Sequence, residues 1–310
     1  MLSIIIPSRN LSNWPYTEKT VTDLFNKAYR EIEVIVIMDG YVLDVPLKER
    51  KNLTVVYHNK SKGMRYSINE GVAISKGEYV AKCDDHCMFA PGFDAALIDN
   101  CESNCLAVPR RYSLNGEEWK KGYGPIDYLY LTYPYAKDDQ FGWGMHGKKW
   151  HGERGYTGAY YHREQERRHI TIDPIISFQG SFWFMPKKLF YDIGGMQIAG
   201  FGDYQEAQEM AFKVWLSGGQ CIVNKNTWYA HLHKGPKLGR GYRALYHQKL
   251  NSEIFSTDFW LSDKWSGQTR KFQWLIEHEI WSPLENWPEN WNDPVMRENY
   301  NYTHWLHRKG

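Results

Sequence analysis

Two short apolar runs set the folding problem for this chain. Leu2 to Ile6 (LSIII) is rich in β-branched residues and ends at Pro7, and Glu33 to Met38 (EVIVIM) is closed by Asp39-Gly40. Neither alternates apolar with polar residues, so each reads as a strand buried on both faces, the pattern of a parallel sheet covered by helices. Between them, Thr17 to Tyr29 places Val21, Leu24, Phe25 and Ala28 on one helical face, with Thr17 able to cap the start. The alternation continues with a strand at Asn52 to Tyr57, a helix at Gly63 to Ile74, a strand at Gly77 to Lys82, a helix at Phe93 to Asn100 and a strand at Cys105 to Arg110. Such alternation requires right-handed crossovers, so the expected fold class is α/β, a mixed, mostly parallel central sheet flanked by helices.

Regularity then breaks down. From residue 112 to 174 the chain is rich in Gly, Tyr, Trp, His and charged residues without a sustained period, which reads as an irregular insertion forming the acceptor region, or else as a disordered stretch. It returns as an apolar strand-like stretch at Ile175 to Met185, a helix at Pro186 to Ile193, an amphipathic helix at Ala207 to Trp215 and a strand at Gln220 to Val223. The expected division is a catalytic domain over 1–235 and a helical, Trp-rich extension over 236–310 that packs back on it.

Composition narrows the function classes. The 38 basic and 36 acidic residues leave a net charge of +2, so no global field favours nucleic acid or membrane. No run of about 18 apolar residues is present, and the first strand begins without a charged leader, so the expectation is no membrane span and a cytoplasmic location in a bacterium or phage-infected host. The five cysteines, Cys83, Cys87, Cys101, Cys105 and Cys221, are odd in number and sit in strand-like contexts, which favours reduced thiols over a disulfide framework or a zinc site. A 16% aromatic content with 14 Trp leans toward carbohydrate, whose ring faces pack on flat aromatics.

In parallel sheets ligands bind at the carboxyl ends of the strands, where Pro7 to Asn10, Asp39 and Asp84 to His86 fall. Asp84-Asp85-His86 offers carboxylate and imidazole together, a set better suited to manganese than to calcium; the alternative is a solvated acidic turn. Asp39 could accept hydrogen bonds from a base or ribose, or simply form the turn to which Asp-Gly is suited. Lys62 and Arg65 flank a helix start where phosphate could bind, or they form a basic turn. His231 and His233 follow a strand-like segment and could complete a metal sphere. Glu206 and Glu209 share one helical side and could orient a hydroxyl, or complement the helix dipole.

Taken together, residues 2 to 94 resemble nucleotide-diphospho-sugar transferases of the GT-A fold, as in glycosyltransferase family 2. Asp84-Asp85-His86-Cys87 is similar to the Asp-x-His-Cys metal motif of polypeptide N-acetylgalactosaminyltransferases. Gln179-Gly180-Ser181-Phe182-Trp183 with Gly194-Gly195 resembles their Gly-Gly-x-Phe segment. Glu206-Ala207-Gln208-Glu209, Lys213-Val214-Trp215 and Gly218-Gly219 resemble a further ordered run of that family. The resemblance implies a Rossmann-like fold, a UDP-sugar donor and Mn2+ or Mg2+ held by Asp84, His86 and His231, with His233 as the alternative third ligand. It further implies donor contacts from Pro7, Arg9, Asp39, Lys62, Arg65, Asp84, Asp85, Gly180 and Trp183, and places Glu206 and Glu209 near donor sugar and acceptor. Inverting relatives carry a base where this chain has Ala207, so retention is expected unless Asp203 or Glu206 substitutes.

The acceptor stays open among a protein, a glycan and another hydroxyl compound. A second reading is transfer to a hydroxylated base in DNA, because residues 148 to 168 interleave basic and aromatic side chains. A third is a non-catalytic sugar- or nucleotide-binding module, which the intact Asp84, His86 and His231 argue against.

Overall fold

The structure, a computed structural model, describes residues 1–9, 14–43, 45–134, 144–149, 166–202, 204–233, 246–278 and 287–293. The apolar runs are the centre of it. β1 (Leu2–Ser8) and β2 (Ile32–Asp39) pair in parallel, and Ile4, Ile6, Val34 and Val36 have no exposed surface. The amphipathic α1 (Trp14–Lys27) connects them with Val21 and Leu24 fully buried. β3 (Leu53–His58) adds in parallel beyond β2, but as the outermost strand it is only half-buried. α2 (Met64–Ile74) lies directly on β1. A Cβ added at Gly71 would stand 2.5 Å from Ile5 Cγ2, so only glycine permits that approach.

β4 (Tyr79–Cys83) joins the free side of β1 in parallel, and β5 (Cys87–Phe89) and α3 (Phe93–Asp99) follow. The remaining strands are β6 (Cys105–Asn115), β7 (Lys120–Lys121), β8 (Leu129–Leu131), β9 (Gly147–Lys149), β10 (Ile172–Pro174), β11 (Phe182–Pro186) and β12 (Gln220–His231). The helices among and after them are α4 (Lys187–Asp192), α5 (Glu206–Leu216), α6 (Tyr246–Leu261) and α7 (Phe272–Ile276). The main sheet runs β10-β12-β6-β11-β4-β1-β2-β3, with β5 paired to β12 and β7 to β6, while β8 and β9 form a separate antiparallel pair. β11 and β10 run antiparallel to their neighbours and the strands from β6 to β3 are otherwise parallel, which is the mixed sheet expected.

Four differences from the sequence reading share one cause, which is contact between distant segments. β6 runs on to Asn115 and β10 joins the main sheet, so ordered strands enter the stretch from 112 to 174 from both ends. β12 is 12 residues long because its second half pairs with both β5 and β6. The strand expected from Ile175 begins only at Phe182. α5, expected as an amphipathic helix, is buried along its whole length. Phe212 meets Trp260 at 5.4 Å and Phe272 at 5.1 Å, ring centre to ring centre, so α6 and α7 cover the side that would have faced water. Beyond them Trp287 and Trp291 are buried, with Trp287 Nε1 donating to the Leu131 carbonyl at 2.9 Å.

Candidate active site

The ends of β4, β5 and β12 meet at one point. His231 pairs with Cys87 across the β5–β12 ladder, so it stands beside His86, and the Leu232 amide donates to the His86 carbonyl at 3.1 Å. Asp84 is tethered from its own amide to the Ser181 carbonyl at 2.8 Å. The result is one cluster in which ligand atoms of Asp84, His86 and His231 all lie within 4.8 Å of one another, the one such group among the described residues. His86 Nε2 and His231 Nε2 are 2.9 Å apart, and Asp84 Oδ2 is 3.2 Å from His231 Nε2 and 3.9 Å from His86 Nε2.

This donor set fits a divalent cation. Adjacent ligands at about 2.1 Å from an octahedral ion stand about 3.0 Å apart, close to the 2.9 Å spacing of the two imidazoles. Asp85 is buried, and its Oδ1 accepts from His86 Nδ1 at 2.6 Å, which leaves the Nε2 lone pair pointing into the cluster. Ser8 steadies Asp85 in turn, donating to Oδ2 at 2.5 Å, while Ser8 Oγ lies 2.5 Å from the Tyr41 hydroxyl. Asp85, read from sequence as a donor contact, is therefore the residue that orients His86. His231 has no such support, because its buried Nδ1 has no hydrogen-bond partner.

The electrostatics agree with a metal site. Burial drives His231 down to about 3, against the hydrogen bond to Asp84, and His86 adds to the effect, so the ring is neutral and available as a ligand. Burial alone would raise Asp84, but Lys82, with His231 and His86, holds its carboxyl well below the usual carboxylate range.

Lys82 is the residue the sequence reading missed. It sits in the apolar run Tyr79–Cys83 with 1% of its surface exposed. Its ammonium donates to Asp84 Oδ1 at 2.6 Å, to the Gly180 carbonyl, and to Glu206 Oε2 at 3.3 Å. The signal was present: a lysine inside a buried strand, two residues before an aspartate and so on the same face as it. Glu206 Oε1 accepts from Trp183 Nε1 at 2.9 Å, and a Cβ on Gly180 would stand 2.8 Å from Glu206 Oε2, so glycine is needed there. Burial raises the Glu206 carboxyl, with Asp84 adding to the rise and Lys82 opposing it.

Several expected contacts lie elsewhere. Trp183 has no exposed surface and holds Glu206 from behind. Arg65, read as a phosphate contact, is buried, and each of its three guanidinium nitrogens has a protein acceptor: the carbonyls of Gln197, Gly202 and Tyr204 and the Glu209 carboxylate. Glu209 has no exposed surface; it holds Arg65, Lys213 Nζ at 2.7 Å and the Gln197 amide at 2.6 Å. Both residues therefore brace the segment from Met196 to Tyr204 rather than facing the cleft.

Asp39 accepts from His58 Nδ1, Ser61 Oγ and the amides of Lys62 and Gly63, at 2.6 to 2.9 Å, and these bonds outweigh burial to lower its carboxyl. It shapes the loop between β3 and α2. Lys62 is half-exposed over the Tyr66 ring at 4.5 Å, Pro7 is half-buried in β1, and Arg9 is exposed just beyond it. His233 meets Arg111 and is not part of the metal cluster. Asp203 and most of the interleaved stretch from 148 to 168 lie outside the described residues.

Among the described residues no helix is long and apolar enough to cross a membrane. Comparison with known proteins agrees with the geometry. An uncharacterised glycosyltransferase of Rickettsia bellii is 32% identical over 125 residues, 38% of this chain and 18% of its own. A Drosophila melanogaster protein assigned as polypeptide N-acetylgalactosaminyltransferase 13 is 24% identical over 244 residues, 70% of this chain and 39% of its own. The chain thus spans well under half the length of these relatives. The crystal structure of GalNAc-T7 with UDP, GalNAc and Mn2+ superposes with a TM-score of 0.65 at 15% identity, over 93% of this chain and 58% of that one, and shows the same GT-A fold. The model of the glycosyl transferase family 2 domain matches residues 3–194, and the chain belongs to that family.

Proposed function

We propose that this chain transfers a hexose from a UDP-sugar to an acceptor hydroxyl, with Mn2+ or Mg2+ held by Asp84, His86 and His231. The observation that carries this reading is the convergence of a carboxylate and two imidazoles at the strand ends, with Asp85 fixing the His86 tautomer. A relative of the same fold was solved with UDP, GalNAc and Mn2+, which supports the choice of nucleotide and ion. A divalent cation there supplies charge neutralisation to a diphosphate leaving group.

The chain's own residues position the rest. The loop held by Asp39 borders the nucleotide, and Lys82 ties Asp84 to Gly180 and Glu206 on the sugar side. The way the described carboxylates are occupied favours retention. Asp85 holds His86, Glu206 is bound by Trp183 and Lys82, and Glu209 is enclosed by Arg65 and Lys213. With no carboxylate among these free to take the acceptor's proton, the departing phosphate oxygen takes it, as the bond from the anomeric carbon to that oxygen breaks and the acceptor oxygen bonds on the same face.

The test is metal-dependent UDP release across a panel of UDP-sugars, with peptides, glycans, duplex DNA and hydroxymethylated DNA as acceptors. Asp84→Ala should reduce release by about 1,000-fold or more, a loss typical of removing a group that stabilises transition-state charge. Absence of both UDP binding and UDP release with every donor would overturn the assignment, and an inverted anomeric centre in the product would overturn retention alone.

A further inference from the structure

Lys82 holds one half of the Asp84 carboxylate. It stands on β4 with 1% of its surface exposed, and its ammonium has three hydrogens to give. Three acceptors take them: Asp84 Oδ1 at 2.6 Å, Glu206 Oε2 at 3.3 Å and the Gly180 carbonyl. Glu206 opens α5 and Gly180 lies just before β11, so the ammonium is held from two other parts of the chain and has no hydrogen left over. The orientation of Asp84 is thereby fixed as well. Its Oδ1 is turned to Lys82, while its Oδ2 reaches the imidazoles, 3.2 Å from His231 Nε2 and 3.9 Å from His86 Nε2.

The cluster therefore offers a divalent cation two imidazole nitrogens and one carboxylate oxygen, with the second oxygen already committed. Divalent cations differ in how much that matters. Calcium takes six to eight ligands at about 2.3–2.6 Å and gains from a carboxylate that binds through both oxygens. Magnesium and manganese are smaller and octahedral, and take a carboxylate through a single oxygen.

We propose that Lys82 sets the ion specificity of this site: by occupying Asp84 Oδ1 it keeps the carboxylate a one-oxygen ligand and so disfavours calcium against the smaller octahedral cations. The inference rests on the reading of Asp84, His86 and His231 as the metal site, and goes beyond it to which ion that site admits. Lys82 acts through Asp84 and is a positioning residue. Its positive charge opposes all divalent cations alike, since the Coulomb energy depends on charge and distance. The loss of an oxygen is felt only by an ion that would use both.

The test follows the electron paramagnetic resonance signal of Mn2+ in the nucleotide-free protein, with Mg2+ and Ca2+ as competitors, and reads the ratios of the dissociation constants. Ions of equal charge cancel the electrostatic effect of removing a cation, so a ratio reports geometry where an absolute affinity does not. In Lys82→Met the preference for Mn2+ over Ca2+ should fall by about 10-fold, the lower end of the effect of residues behind a metal ligand, and the preference for Mn2+ over Mg2+ should stay unchanged. A shift of both ratios, as general loosening of the site produces, or a shift of neither overturns the proposal.

Lys82→Met leaves two carboxylates without their cation, so Lys82→Met/Glu206→Gln, which removes the cation together with one of its acids, is measured beside it and should show the same change. Thermal unfolding reports which variant is folded. The wild type supplies a check that needs no variant: Ca2+ competing with Mn2+ on equal terms overturns the role of Lys82 and leaves the metal site standing. Failure of all three ions to bind the wild type overturns the metal site itself.

Discussion

Glu206 and Glu209 are one turn apart on the same helix, both buried and both paired with cations, yet they belong to two different machines. Glu206 faces Lys82 and, through it, Asp84 and the metal cluster. Glu209 faces Arg65 and Lys213 and ties α2 to α5 and the segment from Met196 to Tyr204. The difference lies in what the cation is also holding. Lys82 shares its ammonium between Glu206 and the proposed metal ligand Asp84, so a change there should reach the chemistry. Arg65 spends its nitrogens on carbonyls of the scaffold, so a change there reaches stability. Residue type and spacing are the same for both glutamates, and only the partners separate them.

The comparison can be broken most forcefully at Glu209. Glu209→Gln leaves two buried cations without a counter-ion and should cost about 3–5 kcal/mol in urea unfolding, with turnover per folded molecule little changed. A stable variant with lost turnover would move Glu209 into the active site. Lys82→Met should act the other way: Mn2+ affinity, followed by calorimetric titration, should fall by about 10- to 100-fold, as for other residues that position a metal ligand. Partial recovery in Lys82→Arg is expected, and unchanged Mn2+ affinity alongside lower stability would make Lys82 no different from Arg65.

A smaller effect should appear with pH in the metal-free protein. The unfolded chain protonates His231 near its ordinary value of 6.5, while the folded chain resists protonation until about 3, because burial opposes the charge. The unfolded state therefore binds more protons between these values, so stability is full above about pH 6.5 and declines as pH falls through the window. His231→Phe should flatten that slope in urea unfolding measured from pH 7 to 3.5. The depressed Asp84 carboxyl contributes in the same direction only at the acid end, below its ordinary 3.8. An unchanged slope would place the titration in another group.

Much of this protein was legible in one dimension. The apolar runs at Leu2–Ile6 and Glu33–Met38 determine buried parallel strands, because a backbone that must satisfy its hydrogen bonds inside an apolar layer has few other choices. Asp84-Asp85-His86 after a buried strand marked the candidate metal site, since strand ends in such sheets face the cleft. Partner choice among buried charges was not legible. Nothing local says that Asp85 serves His86, that Glu209 meets Arg65 across 144 residues, or that Lys82 joins Asp84 to Glu206. Those pairings, and the burial of α5 beneath α6 and α7, arise when segments far apart in the chain pack together. A charge inside the packed core is tolerated only where folding brings it a partner, so tertiary structure alone decided which carboxylates hold the scaffold and which face the reaction.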